Sequence, residues 1–147
     1  MTSSLIALFE RDLNKLIKEL ESYQNESNLW LIDKGIANSG GNLALHICGN
    51  LQHFVGAILG NTGYVRHRDE EFDQKDIPLV ELIKEIQKTN DVIKNTLGKV
   101  STSQTMSNYP VDVFKKAMTT EFFLLHLSAH LSYHLGQINY HRRLLDV

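Results

Sequence analysis

Residues Glu121–Arg143 read EFFLLHLSAHLSYHLGQINYHRR, a long helical pattern around which the rest of the chain can be arranged. His126, His130 and His134 recur at intervals of four, so one face of that helix carries a column of imidazoles. Two rings one turn apart can close on a single metal ion, the geometry of an H-x-x-x-H pair. The full column spans two turns, about 12 Å of axial rise, so its outer members cannot reach one ion and only one adjacent pair can serve. Phe122, Leu125, Ala129, Tyr133 and Tyr140 flank the column, which predicts that it faces inward or into a cleft, with Tyr133 and Tyr140 as core aromatics. His141 falls seven residues past His134 and is expected at the surface or an interface.

A second segment, GNLALHICGNLQHF from Gly41 to Phe54, supplies His46 on another helical pattern. A metal needing more than two protein ligands would recruit it from there. His46, Gly49, Asn50 and His53 follow one another at offsets of three, four and seven, so they share one line beside the apolar face of Leu43, Ile47, Leu51, Phe54, Val55 and Ile58. Asn50 is placed to orient a ligand or a bound water, and His53 either lines the same cleft or sits at the surface. Cys48 lies about 200° around the helix from His46 and points away from it.

The 147 residues, 42% of them hydrophobic, suit one domain over 1–147 with a continuous core. Fifteen basic and 17 acidic residues are mixed along the chain for a formal net charge of −2. That balance lacks the positive field that nucleic-acid binding requires. A single cysteine excludes an internal disulfide and any cysteine-based zinc motif. The N-terminus MTSSLIALFERDL becomes charged at Glu10 and Arg11, and no apolar run approaches about 18 residues, so a cytoplasmic protein with no membrane partner is expected.

Taken in order, Thr2, Ser3 and Ser4 offer caps to a first amphipathic helix whose stripe is Leu5, Leu8, Phe9, Leu13, Leu16, Ile17, Leu20 and Tyr23. Asn25 to Gly41 is a connection in which Trp30 is either a lid over the core or a wall of a cleft. The second helix starts near Ser39 or Asn42 and runs to Gly60. Asn61 to Pro78 is a long polar crossover, and loops of that length are often functional. In it Arg66, His67 and Arg68 precede Asp69, Glu70, Glu71 and Asp73, while Tyr64 and Phe72 can anchor the segment. Arg66 and Arg68 are expected as exposed positions gating an anionic substrate. Pro78 suits the first turn of a third helix with Leu79, Leu82, Ile83, Ile86, Ile93 and Leu97, closed by Gly98. Lys99 to Pro110 is a second connection, and the fourth helix is expected from Val111 or Asp112 to about Leu145.

The pieces NSGGNLALHICGNLQHF, RHRDEEF and HLSYHLGQINYHRRLL resemble the DinB-like superfamily over most of the chain. Their match is to an uncharacterised branch with an N-x-x-x-H-x-x-G-N helix, an R-D-x-E-F loop and an H-x-x-Y-H-x-G-Q-I helix. The resemblance implies an all-α four-helix bundle binding one divalent metal through a histidine of the second helix and two of the fourth. Those are His46, His130 and His134 here, leaving His126 as a packed or supporting imidazole. Some relatives are metal-dependent transferases acting with low-molecular-weight thiols. Three neutral imidazoles would leave the ion an open position, as in catalytic zinc sites. Zinc or nickel is expected, and iron or copper is also compatible with nitrogen ligands. Leu131, Ser132 and Tyr133 separate His130 from His134, so the glutamate of H-E-x-x-H proteases is missing, and Gln137 stands one turn on to position a water or a substrate group. These features point to an S-transferase using a small thiol, with a metal-dependent hydrolase or a noncatalytic metal-binding, dimer-forming bundle as alternatives.

Overall fold

The structure, a computed structural model, describes residues 1–33 and 35–147. Among them the chain is all-helical, with six α-helices, about 70% helix and no strands. The helices are α1 (Thr2–Glu21), α2 (Gly40–Leu51), α3 (Arg68–Asp73), α4 (Leu79–Leu97), α5 (Thr102–Met106) and α6 (Thr120–Leu145). No helix is long and apolar enough to cross a membrane.

The periodic stripes become the core. In α1 Leu5, Phe9, Leu13, Leu16 and Leu20 are all at most 1% exposed, and α4 contributes Leu82, Ile86, Ile93 and Leu97 from the same spacing. α1 packs against α4 and α6, and α2 packs against the same two helices. α2 is the central element, buried on every side except at Leu45, and starts where the Ser39 hydroxyl accepts the Asn42 backbone N–H. Trp30, in a short 3₁₀ turn (Glu26–Trp30), lies flat on Gly41, where an added Cβ would come within 2.7 Å of its ring. It therefore seals the core.

α2 does not stop at Leu51. It continues as a π-helix over Gln52–Leu59, whose wider i→i+5 turns change the facing of each later residue. The end of this segment is tied elsewhere: the Phe54 carbonyl accepts the Tyr109 hydroxyl at 2.7 Å, and the Gly56 carbonyl accepts the Thr62 N–H at 3.2 Å.

Four expectations need correction. The last helix begins at Thr120, capped by the Thr119 hydroxyl, rather than near Val111. The preceding residues instead fold back: Tyr109 N–H donates to Met118 O and Thr120 N–H to Ser107 O, each at 2.8 Å, which consumes the groups a helix would use. The crossover is not all loop, since α3 occupies its middle. Pro78 precedes α4 as its cap instead of entering the first turn. Finally, Tyr133 and Tyr140 are not core: they are 65% and 62% exposed, and Phe122 and Leu125 are also largely in solvent. The apolar face of α6 that enters the core is Phe123, Leu124, Leu127, Leu131 and Ile138, so the imidazole column lies at the edge of that face, half in and half out.

Candidate metal centre

α2 places His46 inside the helical core, 6% exposed, and α6 places His130 and His134 opposite it. The three Nε2 atoms converge: His46 Nε2 is 3.2 Å from His130 Nε2, and His134 Nε2 is 3.0 Å from the same atom. One ligand nitrogen from each ring lies within 4.8 Å of the others, close enough to hold a metal ion. His126 is one turn too early. It is exposed, its ring packs edge-on against Phe114 and stacks on Phe123, and it is not in the cluster.

The far side of each outer ring fixes which nitrogen is bare. His46 Nδ1 lies 3.0 Å from Glu71 Oε1, and Glu71 also receives Arg66 Nε and Nη2, both at 2.9 Å. Burial alone would raise the Glu71 carboxyl, but hydrogen bonds from His46 and Arg66 and the arginine charge outweigh it and hold the group below the usual carboxylate range. An ionised Glu71 only accepts, so His46 carries its proton on Nδ1 and presents a bare Nε2. His134 Nδ1 lies 2.7 Å from Gln137 Oε1, which orients it the same way, and Gln137 Nε2 donates to the Tyr133 hydroxyl at 3.3 Å. A carboxylate or amide holding the second ring nitrogen is the usual support of a metal-ligating histidine.

That arrangement leaves at least two lone pairs aimed at His130 Nε2, and a single proton there could satisfy only one. One cation satisfies all three. For nitrogen ligands at about 2.0–2.1 Å from a metal, edges of about 3.0–3.4 Å between ligand atoms are expected, so the donor set fits a divalent ion. The same crowding disfavours protonation. Burial and the neighbouring imidazoles push His130 down to about 4, and burial lowers His134 despite the opposing bond to Gln137.

Glu71 reaches His46 only because residue 49 has no side chain. A Cβ at Gly49 would stand 1.9 Å from Glu71 Oε2. α3 delivers the carboxylate: Phe72 packs its ring on His46 at 4.9 Å, and Asn42 Nδ2 donates to the Glu71 and Gln74 carbonyls at 3.1 and 2.8 Å. Thus the acidic run, read as a charged crossover, contains the partner of His46. Glycine in the middle of a helix, three residues after that histidine, was the available signal. Arg66 is corrected likewise: its side chain is 12% exposed and committed to Glu71 rather than free in a loop. Arg68 is exposed, with its guanidinium over the Phe72 ring at 5.2 Å.

Asn50 is 7% exposed, and its Oδ1 is buried with no partner. His53 stands on the π-helix with its ring against Phe54 at 4.7 Å and takes no part in the cluster. Cys48 turns toward α4, where burial, only partly opposed by the Thr89 hydroxyl, pushes its thiol up to about 12. His141, expected at the surface or an interface, is 3% exposed and buried within the chain's own core. Its Nε2–H donates to the Leu31 carbonyl at 2.8 Å, and its Nδ1 accepts the Tyr23 hydroxyl at 2.7 Å.

The class defined by these features is an all-helical protein with a buried carboxylate supporting a three-imidazole cluster. The chain belongs to the family described as Protein of unknown function (DUF1572), whose sequence model matches residues 2–146. No curated protein matches it.

Proposed function

We propose that the four long helices form a DinB-like four-helix bundle in a single domain, and that His46, His130 and His134 hold one divalent ion at which a small molecule reacts. The observation that carries this reading is the convergence of three Nε2 atoms while buried Glu71 holds the opposite nitrogen of His46. Packing of α1 and α2 each against α4 and α6 supports the bundle.

A divalent ion on three neutral imidazoles supplies a Lewis acid that lowers the pKa of a thiol or water ligand. The chain's own residues do the rest. Glu71 fixes the His46 tautomer, Arg66 keeps Glu71 ionised, and Gln137 performs the same service for His134. No carboxylate is left over as a general base, because Glu71 is already bound on both oxygens. A reaction that needs only an ionised nucleophile is therefore the economical one. Cys48 is buried and turned away, so a thiol must come from solution. The reaction we favour is transfer of a low-molecular-weight thiol to a small electrophile, with zinc or nickel as the metal.

Elemental analysis of untagged protein should return about one divalent ion per chain, and the loaded protein should consume thiol when offered electrophiles. Metal removal should empty the site and leave the helices folded, as expected of a reactive centre rather than a structural staple. Folded protein that takes up no metal sinks the reading. Metal-dependent cleavage of esters without thiol consumption would replace transfer by hydrolysis.

A further inference from the structure

A cavity of about 250 Å³ lies beside the triad, between α2, the crossover and the segment before α6. Its wall includes His46 and His130, so whatever enters it meets the imidazole cluster. The lining has two arginines and no carboxylate oxygen other than those already bound to Arg66 just behind it. Phe54, Phe114 and Phe123 supply apolar surface. Asn50 lines the same cavity, and its buried Oδ1 has no hydrogen-bond partner. A buried acceptor left unpaired is unfavourable, so a ligand that donates to it is favoured.

The charge balance selects the kind of anion. Arg66 is neutralised by Glu71 through two of its nitrogens, leaving its remaining N–H groups as donors without net charge. Arg68 has no carboxylate within ion-pair distance among the described residues and is held over Phe72, so one positive charge is unspent. At this end of the cavity, away from the metal centre, that single charge suits a carboxylate held by Arg68. We propose that this cavity binds a small monocarboxylate carrying a hydroxyl or amino group near the carboxylate, with Arg68 and the free edge of Arg66 taking the anion and Asn50 Oδ1 taking the donor. The aromatic walls hold its apolar remainder. This deepens the metal-centre reading and rests on it for the statement that the bound molecule is the reactant.

Mandelate is a suitable probe because it has the carboxylate, the adjacent hydroxyl and a ring. Calorimetric titration of the metal-loaded protein should show mandelate binding about tenfold more tightly than mandelamide, which lacks the charge, and than phenylacetate, which lacks the hydroxyl. Arg68→Gln should reduce mandelate to the level of mandelamide without changing the latter. Asn50→Leu should erase the preference over phenylacetate, and Asn50→Ala serves if the leucine variant does not fold. Metal content is measured after each titration. A mandelate preference that survives Arg68→Gln overturns the proposal, since the carboxylate would then sit on the metal alone. So does the absence of mandelate binding. Arg68-dependent binding to protein that takes up no metal keeps the subsite and removes the metal-centre reading; full metal content with no effect of Arg68→Gln does the reverse.

Discussion

Gly49→Ala tests the support of His46 at a single atom. The new Cβ would stand 1.9 Å from Glu71 Oε2 and 2.6 Å from its Cδ, so the carboxylate must retreat by roughly 1.5 Å to reach ordinary contact. Glu71 cannot do so and keep both partners, because Arg66 and His46 hold its two oxygens at 2.9–3.0 Å. Alanine in a helix interior gains about 1 kcal/mol over glycine. One lost charge-assisted hydrogen bond to a buried carboxylate costs about 1.5–3 kcal/mol. The net is a destabilisation of about 0.5–2 kcal/mol, or about 1–6 °C in Tm for a chain of this size. With the His46 ring no longer fixed, metal affinity should fall about 10–100-fold. Thermal melts of stripped protein and chelator competition on loaded protein read the two effects separately. Glu71→Gln should reproduce the loss of affinity without the added methyl. If Gly49→Ala melts higher than the parent, as helix propensity alone demands, and holds metal equally well, then Glu71 does not fix His46 in the way described.

Alanine at His46, His130 or His134 should each strip the ion, whereas His126→Ala should retain it; loss in His126→Ala with retention in His134→Ala would move the site one turn earlier, and elemental analysis decides. Arg66→Ala should lower both Tm and metal affinity because it strands the buried Glu71 carboxylate, while Arg68→Ala should change neither; equal effects would mean that Arg66 is as free as Arg68. The His130 imidazole titrates at about 4 in the fold and at about 6.5 when unfolded, so between those values the unfolded chain binds the extra proton. Stability of the metal-free protein should therefore fall from about pH 6.5 to about pH 4 and then level, and His130→Gln should flatten that slope in equilibrium denaturation; stability rising into acid would contradict the burial of a neutral ring. His141→Phe should cost about 2–4 kcal/mol by stranding the Tyr23 hydroxyl and the Leu31 carbonyl, with metal content unchanged; a melt equal to the parent would show that pairing to be dispensable.

The helices and the histidine column were legible because they follow from local spacing, whereas the choice of His46, His130 and His134 as the ligand set was what the family resemblance implied. Leu5, Phe9, Leu13, Leu16 and Leu20 announce their face by recurrence, and His130 and His134 lie one turn apart wherever the helix sits. What was not legible depends on contacts distant in sequence. His141 reads as a polar residue near a terminus, and only Tyr23, 118 residues earlier, makes its burial sensible. Glu71 stands among four other acidic or amide residues, and nothing local separates it from Asp73. The start of α6 was missed for a related reason: Val111–Met118 has tolerable helical spacing, but its flanks pair with each other across Asn108 and Thr119. His53 was aligned with His46 by a 3.6-residue count that fails once the turns widen at Gln52.

The final turn of α6 is bolted to the end of α1. Asp146 accepts the Gln24 and Asn25 N–H groups and the Asn28 amide, Arg142 and Asn139 both bind Glu19, and His141 meets Tyr23. During synthesis, every one of those α1-side groups leaves the ribosome more than a hundred residues before its partner. The turn after α1 then waits with open backbone donors, α2 carries a lone His46, and neither can be completed by anything in the first half of the chain. Folding that must close such distant pairings is slowed by their loop-closure cost, and α6 acts as the closing stave: nascent chains arrested before it should be protease-sensitive and unable to capture metal, and emergence of α6 should bring the core and the ion site into being together.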